Sequence, residues 1–338
     1  MTTPAIVFRA DASHALGVGH VARMSAVIEE AAAAGAEPIA LFGGDPGLTG
    51  WSRSQGIAAD LRPWTTADVL AIASEPRVRT VVLDGPALAA ALAPALAARG
   101  IRTIVVDDRG GFALPTHAVV NHNFHAPELA GGYPTAQVRL LGRDYLMLRR
   151  AIRSVPRGAC RTVPVTRLRV VVSFGGSDPV GATARVISLV PDERPVELVA
   201  VAGPGFRDDD ALHAAAAIAT AAGHSVEILR NPEQLGEVFR TANAAICAAG
   251  GTLGELAYLG CPALTYAIAP DQVAGAHAQA AAGLVAGGRR WTSLDDDDLR
   301  VQLGAFLADD RGRRQLRDRA LATADGEGAR RIVVAALA

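Results

Sequence analysis

Val170-Val-Val-Ser173-Phe174-Gly175-Gly176-Ser177-Asp178 reads as an apolar strand that runs into a glycine turn, and a helical pattern begins at Val180. Two glycines, a hydroxyl and a carboxylate at that exit let backbone N–H groups approach a phosphate, with the positive end of the helix behind them. A partner stands downstream at Ala249-Gly250-Gly251-Thr252, again between an apolar strand and a helix. Two anion-ready turns in one half of the chain predict a diphosphate.

Around these turns the same α/β rhythm repeats. Leu168–Ser173, Val196–Val201, Val226–Leu229, Ala244–Cys247 and Ala263–Tyr266 are short apolar runs separated by Ala-rich helical patterns. Ala5–Arg9, Pro38–Phe42, Thr80–Leu83, Thr103–Val106 and Ala118–Val120 form an earlier series. Strands alternating with helices predict parallel sheets covered on both faces, with ligands at the carboxyl ends of strands. The residues to inspect are therefore those at strand exits, including Asp84, Asp107, Asp108, Asn121 and Asn123. Between Arg153 and Arg167 the pattern gives way to Arg, Pro, Gly and Thr, which reads as a linker. Two domains, 1–155 and 156–338, are expected, in keeping with a length of 338 residues.

Composition removes several classes of function. The net charge is −1 and no basic block appears, so nucleic acid is not an expected partner. No apolar run approaches the roughly 18 residues of a membrane span. Arg9 and Asp11 follow the first strand directly, without a secretory leader pattern, so a cytoplasmic protein is expected. The chain has no Lys, which excludes a Schiff-base or general-base lysine. The cysteines Cys160, Cys247 and Cys261 lack metal-ligand spacing and read as buried free thiols; no metal is expected. The run Asp295–Asp298 reads as a solvated helix start rather than a metal site.

His20 follows Gly17-Val-Gly19 at the start of the first helix, facing the carboxyl end of the first strand. A helix N-terminus disfavours imidazolium, so the ring is expected to be neutral and able to accept a proton. Gly17-Val-Gly19 lacks the third glycine of the dinucleotide fingerprint, and Glu37 precedes the second strand where that fingerprint places its acid at a strand end. Glu255 lies one turn into the helix after Thr252, placed to accept ribose hydroxyls. Asp271-Gln272, after a strand and Pro270, either bind sugar hydroxyls or cap the next helix.

The order of these motifs resembles the UDP-sugar hydrolases of pseudaminic acid biosynthesis and their spore-coat polysaccharide relatives. It is carried by Arg9-Ala-Asp11-Ala-Ser13, Gly17-Val-Gly19-His20-Val-Ala-Arg23, Val106-Asp107-Asp108, Asn121-His-Asn123, Leu141-Gly142-Arg143-Asp144-Tyr145, Ser173-Phe-Gly-Gly-Ser-Asp178 and Ala249-Gly-Gly-Thr252 with Glu255. That family is similar to the GT-B glycosyltransferases, which implies two Rossmann-like domains facing a cleft. The N-terminal one would carry the acceptor and the catalytic base, and the C-terminal one the nucleotide sugar. The resemblance implies His20 as base, and Asp84 is a second catalytic candidate. It implies Gly176 and Ser177, with Gly251 and Thr252, at the diphosphate, Glu255 at the ribose and Gln272 near the sugar; Gly19, Gly175 and Gly250 are further candidates for binding the nucleotide sugar. Asp11, Arg23, Asn123 and Arg143 are then candidates for the acceptor or sugar, an Arg (Arg9, Arg23 or Arg143) serving a uronate carboxylate. UDP-sugar would be the substrate and no cofactor is expected.

One departure bears on the acceptor. The hydrolases carry Asp-His-Tyr-Gly after the mid-domain strand, whereas here Asp84 is followed by Gly85-Pro86-Ala87. Losing that tyrosine while keeping the donor-side motifs favours a glycosyltransferase with a small acceptor, in the manner of the cytosylglucuronate synthases. Hydrolysis of a UDP-sugar and non-catalytic nucleotide-sugar binding are the alternatives.

Overall fold

The computed structural model describes residues 3–13, 16–54, 57, 61–161 and 166–338. The centre of the expected linker, 162–165, lies outside them. The chain divides into two compact units, Met1–Arg150 with Gly326–Ala338, and Ala151–Asp325.

In the first unit, β1 (Ala5–Ala12), β2 (Glu37–Gly44), β3 (Val78–Asp84), β4 (Arg102–Val106), β5 (Thr116–Asn121) and β6 (Ala136–Leu141) form one sheet, ordered β2-β1-β3-β4-β5-β6. All its pairings are parallel. Alternation along the strands supplies both faces. Ile6, Phe8, Val82, Ile104 and Val120 pack with Val21, Met24 and Val27 of the helix Gly19–Ala33. Val7, Val81, Leu83 and Val105 pack on the other face with Leu92 and Leu96 of the helix Pro86–Ala97.

The second unit repeats the plan with β7 (Arg169–Ser173), β8 (Glu197–Ala202), β9 (Ser225–Arg230), β10 (Ala244–Ala248), β11 (Ala263–Ala267) and β12 (Ala286–Arg290). Their order is β12-β11-β10-β7-β8-β9, again parallel throughout. Every residue of β10 and β11 is buried, as strands covered on both faces require.

The expected boundary at 155/156 needs correction at the far end. The last helix, Gly328–Leu337, returns to the first unit, where Ala329, Ile332, Val333 and Ala336 join the core around Met24 and Val27. The hydroxyl of Thr80 on β3 donates to the Ala336 carbonyl at 2.6 Å. Gly328 has no room for a side chain, since a Cβ there would lie 2.3 Å from the Leu146 carbonyl oxygen. An amphipathic helix at the end of a chain joins whichever core can cover it.

Each sheet has one point where successive connections leave in opposite directions. In the first it falls between β1 and β3, in the second between β7 and β10. Crevices at the carboxyl ends of strands open at such points. Among the described residues, no helix is long and apolar enough to cross a membrane.

Candidate active site

His20 and Asp84 flank the first switch point. After β1 the chain turns at Gly17, with φ +81, and the Gly17 amide donates to the Ser13 carbonyl at 2.7 Å. The helix then starts at Gly19, and Val18 provides no side-chain cap. His20 therefore stands in the first turn beside the end of β3, where Asp84 is the last residue. His20 Nδ1 lies 2.7 Å from Asp84 Oδ1. Arg23, one turn further along the helix, donates from Nε to Asp84 Oδ2 at 2.7 Å and from Nη2 to Asp84 Oδ1 at 2.5 Å. Its Nη1 and Nη2 also reach Asp108 Oδ1 and Oδ2 at 2.9 and 2.8 Å.

These contacts fix the tautomer. Asp84 Oδ1 can only accept, so a proton must sit on His20 Nδ1; a bare nitrogen at 2.7 Å would oppose two lone pairs. The Arg23 Nη2 that lies 3.1 Å from Nδ1 has Asp84 and Asp108 as acceptors instead. In the neutral ring Nε2 would then keep its lone pair, the arrangement a proton acceptor needs. Burial works against the charge of Asp84, but Arg23 and the His20 bond outweigh it and hold the carboxyl below its ordinary range. Asp108 is held well below by the same Arg23, again against its burial.

Arg23 was expected to serve acceptor or sugar. Four of its donor contacts go to Asp84 and Asp108, so it braces the site's carboxylates rather than offering an open fork to a substrate. Asp11 is likewise engaged: its carboxylate pairs with the buried Arg9, which also donates to the Ala10 carbonyl. Gly43 lies under that pair, and a Cβ there would be 2.1 Å from Asp11 Oδ1. Asn123 donates to Asn121 Oδ1 at 3.0 Å and approaches Asp108 Oδ1 at 3.5 Å. Arg143 follows β6, and burial pulls its guanidinium down to about 10.

Two neighbours are absent from the sequence-based set. His122 follows β5 and is buried, with Nδ1 lacking a hydrogen-bond partner. Burial and then Arg23 push its pKa down to about 4, so the ring is neutral at pH 7. The triplet Asn121-His-Asn123 at a strand exit carried the signal. Tyr133 donates to Asp107 Oδ2 at 2.8 Å, and Asp107 also accepts from the amides of Arg109 and Gly110. Asp107 thus secures a loop, and Asp108 is the carboxylate at that exit that pairs with Arg23.

The second switch point gathers the glycine turns. Ser173 on β7 lies in register with Cys247 on β10, so the turns after both strands are neighbours. The expectation for Gly175-Gly176-Ser177 needs one correction. The helix that follows spans Ala182–Leu189, and Asp178 accepts from the amides of Ala182 and Thr183 at 2.9 and 2.8 Å. Its positive end is therefore occupied by the chain's own carboxylate. The turn itself stands upstream, held where the Gly205 amide donates to the Gly176 carbonyl at 2.8 Å.

Gly250-Gly251-Thr252 stands directly at a helix start. The helix Thr252–Leu259 begins directly after Gly251, with no side-chain cap, and a Cβ at Gly251 would meet nothing within 4 Å. Glu255 is buried in its first turn. Gln272 reaches the same place: its Oε1 accepts from the Ile268 amide at 3.0 Å, and its Nε2 lies 3.7 Å from where a Gly250 Cβ would be. The structure thus brings Gly250, Gly251, Thr252, Glu255 and Gln272 to one end of the second sheet.

No protein-family model matches the sequence, and no curated protein is similar to it at a significant level. Solved structures are similar in fold. MurG from Acinetobacter baumannii superposes with a TM-score of 0.69 at 16% identity, covering 98% of this chain and 99% of that one. UGT89C1 from Arabidopsis thaliana, complexed with UDP-L-rhamnose, gives 0.63 at 12% identity over 100% of both chains. A UDP-N-acetylglucosamine 2-epimerase gives 0.59 at 13% identity, over 98% of this chain and 95% of that one. With its two parallel six-stranded sheets, the chain has the GT-B fold.

Proposed function

We propose that the chain is a glycosyltransferase that moves a sugar from a UDP-sugar to a small acceptor, with His20 as general base and Asp84 as the carboxylate that orients it. The observation that carries this reading is the 2.7 Å contact from His20 Nδ1 to Asp84 at the first switch point, which would leave Nε2 of the neutral ring as the proton acceptor. In the proposed step, the acceptor's O–H or N–H proton passes to Nε2 as its heavy atom attacks the anomeric carbon. The bond from that carbon to the β-phosphate oxygen breaks, and UDP departs with the electron pair. Direct displacement inverts the anomeric centre. The amides at Gly250–Thr252 and the uncapped helix behind them would meet the charge that develops on the diphosphate. Glu255 and Gln272 would hold the ribose and the sugar.

A transferred sugar, rather than hydrolysis, is favoured by the room beside Asp84. Gly85 has φ +119, and a Cβ on it would meet nothing within 4 Å. The UDP-L-rhamnose complex of UGT89C1 supports the donor class, since the two folds match across both chains.

The test is incubation with a panel of UDP-sugars, with and without small alcohol, amine and nucleobase acceptors, read by mass spectrometry. A glycosylated acceptor together with UDP is the expected product. Equal UDP release in plain buffer would replace the transferase with a hydrolase, and UDP binding without release under any condition would reduce the chain to a binder.

A further inference from the structure

The contacts of Arg23 extend beyond the dyad. Its guanidinium lies between two carboxylates from different strand exits, Asp84 at the end of β3 and Asp108 just after β4, and Nη2 touches both. The side chain of Asp84 is fully buried and that of Arg23 nearly so. Asn123, after β5, approaches the same Asp108 Oδ1 that accepts from Arg23 Nη1. The row Asn123, Asp108, Arg23, Asp84, His20 thus crosses the carboxyl edge of the first sheet. The ionised members Asp108, Arg23 and Asp84 sum to one negative charge.

We infer that Arg23 and Asp108 are positioning residues that set how readily His20 takes up a proton, Arg23 by offsetting Asp84 and Asp108 by restoring the net negative charge. The inference rests on the reading of His20 as the base and adds who governs it. Arg23 alone beside Asp84 would leave the pair neutral and the imidazole with little reason to hold a proton. Both carboxylates without Arg23 would share a site as like charges, which forces one of the nearby groups to take a proton. The observed set lies between those limits.

Among the described residues, the charged and titratable groups facing His20 are Asp84 from β3, Arg23 from its own helix and Asp108 from the β4 exit. Beyond them stand His122 from the β5 exit and Arg143 from the β6 exit. Burial keeps His122 neutral above about pH 4, so it adds no charge in the working range.

The test reads the imidazole itself. The full-length protein is labelled at histidine ring carbons, His20 is assigned with His20→Gln, and its ring resonances are followed from pH 5 to 9. In Asp108→Asn the midpoint of the His20 transition is expected to fall by about half a pH unit or more, and in Arg23→Gln to rise by a similar amount. Arg23→Lys, which keeps the charge without the fork, is expected to return the midpoint toward wild type. Opposite shifts support the inference, because a role in packing alone would give neither sign. A midpoint unmoved by Asp108→Asn, or moved the same way by both substitutions, overturns it. If Arg23→Gln does not fold, the near-isosteric Asp108→Asn decides alone. Because the titration needs no substrate, it stands apart from the proposed activity: full turnover by His20→Gln would remove the base and leave the charge coupling in place.

Discussion

At the scale of single residues, the account turns on which nitrogen of His20 carries the proton. Asp84→Asn removes the charge that stabilises an imidazolium and presents an amide that can donate to Nδ1. Its turnover is expected to fall about 100-fold with UDP affinity unchanged, measured by steady-state kinetics beside calorimetry. His122 gives a second prediction. Its pKa is about 4 in the folded chain against 6.5 when free, so between those values the unfolded chain binds a proton that the folded chain refuses. The stability it confers is complete above pH 6.5 and is lost as the pH falls toward 4. Between pH 7 and 5 that loss is about 2 kcal/mol, and His122→Gln should abolish it in urea unfolding at the two pH values. The depressed carboxyls of Asp84 and Asp108 act in the same direction at lower pH, their contribution fading only below the ordinary carboxylate range. His20 and Asp84 were legible in the sequence because a strand exit is where an α/β fold presents side chains. The bracing role of Arg23 was not, because a helix spacing of three residues cannot reveal that two distant strand exits converge on one guanidinium.

At the scale of elements, two glycine positions separate packing from binding. Gly44 has φ +125, and a Cβ there would lie 1.7 Å from the Ala12 carbonyl oxygen, so Gly44→Ala should destabilise the first unit by about 2 kcal/mol or more. Gly251 has φ −55 and open space around it. Gly251→Ala should leave the thermal midpoint almost unchanged and weaken UDP binding about tenfold or more, by placing a methyl group where the diphosphate is proposed to rest. Differential scanning fluorimetry with and without UDP checks both. The strands that hydropathy found are the eight central ones, where apolar residues serve both faces, together with the edge strands β2 and β9. β6 and β12 escaped it for separate reasons. Gln137, Val138 and Arg139 of β6 are exposed on a sheet edge, so that strand carries no apolar run. In β12, Gly287 packs a backbone against Thr265, where a Cβ would lie 2.7 Å from the carbonyl oxygen, and two arginines complete the strand. The helix start at Ala182 was also hidden, because only coordinates reveal that Asp178 caps it.

At the scale of the whole molecule, the chain is two copies of one architectural idea, each with its candidate site residues at the point where strand order reverses. That symmetry was readable from strand–helix alternation and from where glycines follow apolar runs. The return of the last helix to the first unit was not, since linear order gives no sign of which core an amphipathic segment will join. Removing residues 326–338 should therefore weaken the first unit, by about 4 kcal/mol from the buried side chains of Ile332 and Val333 and their alanine neighbours. Hydrogen exchange should locate the loss in β1–β6 and leave β7–β12 protected. The most direct test of the central claim compares wild type with His20→Ala for UDP release from a UDP-sugar in the presence of an accepted acceptor. The account predicts acceptor-dependent release by the wild type, slowed at least about 100-fold in the variant while its affinity for UDP is retained. Release by His20→Ala at the wild-type rate would contradict it.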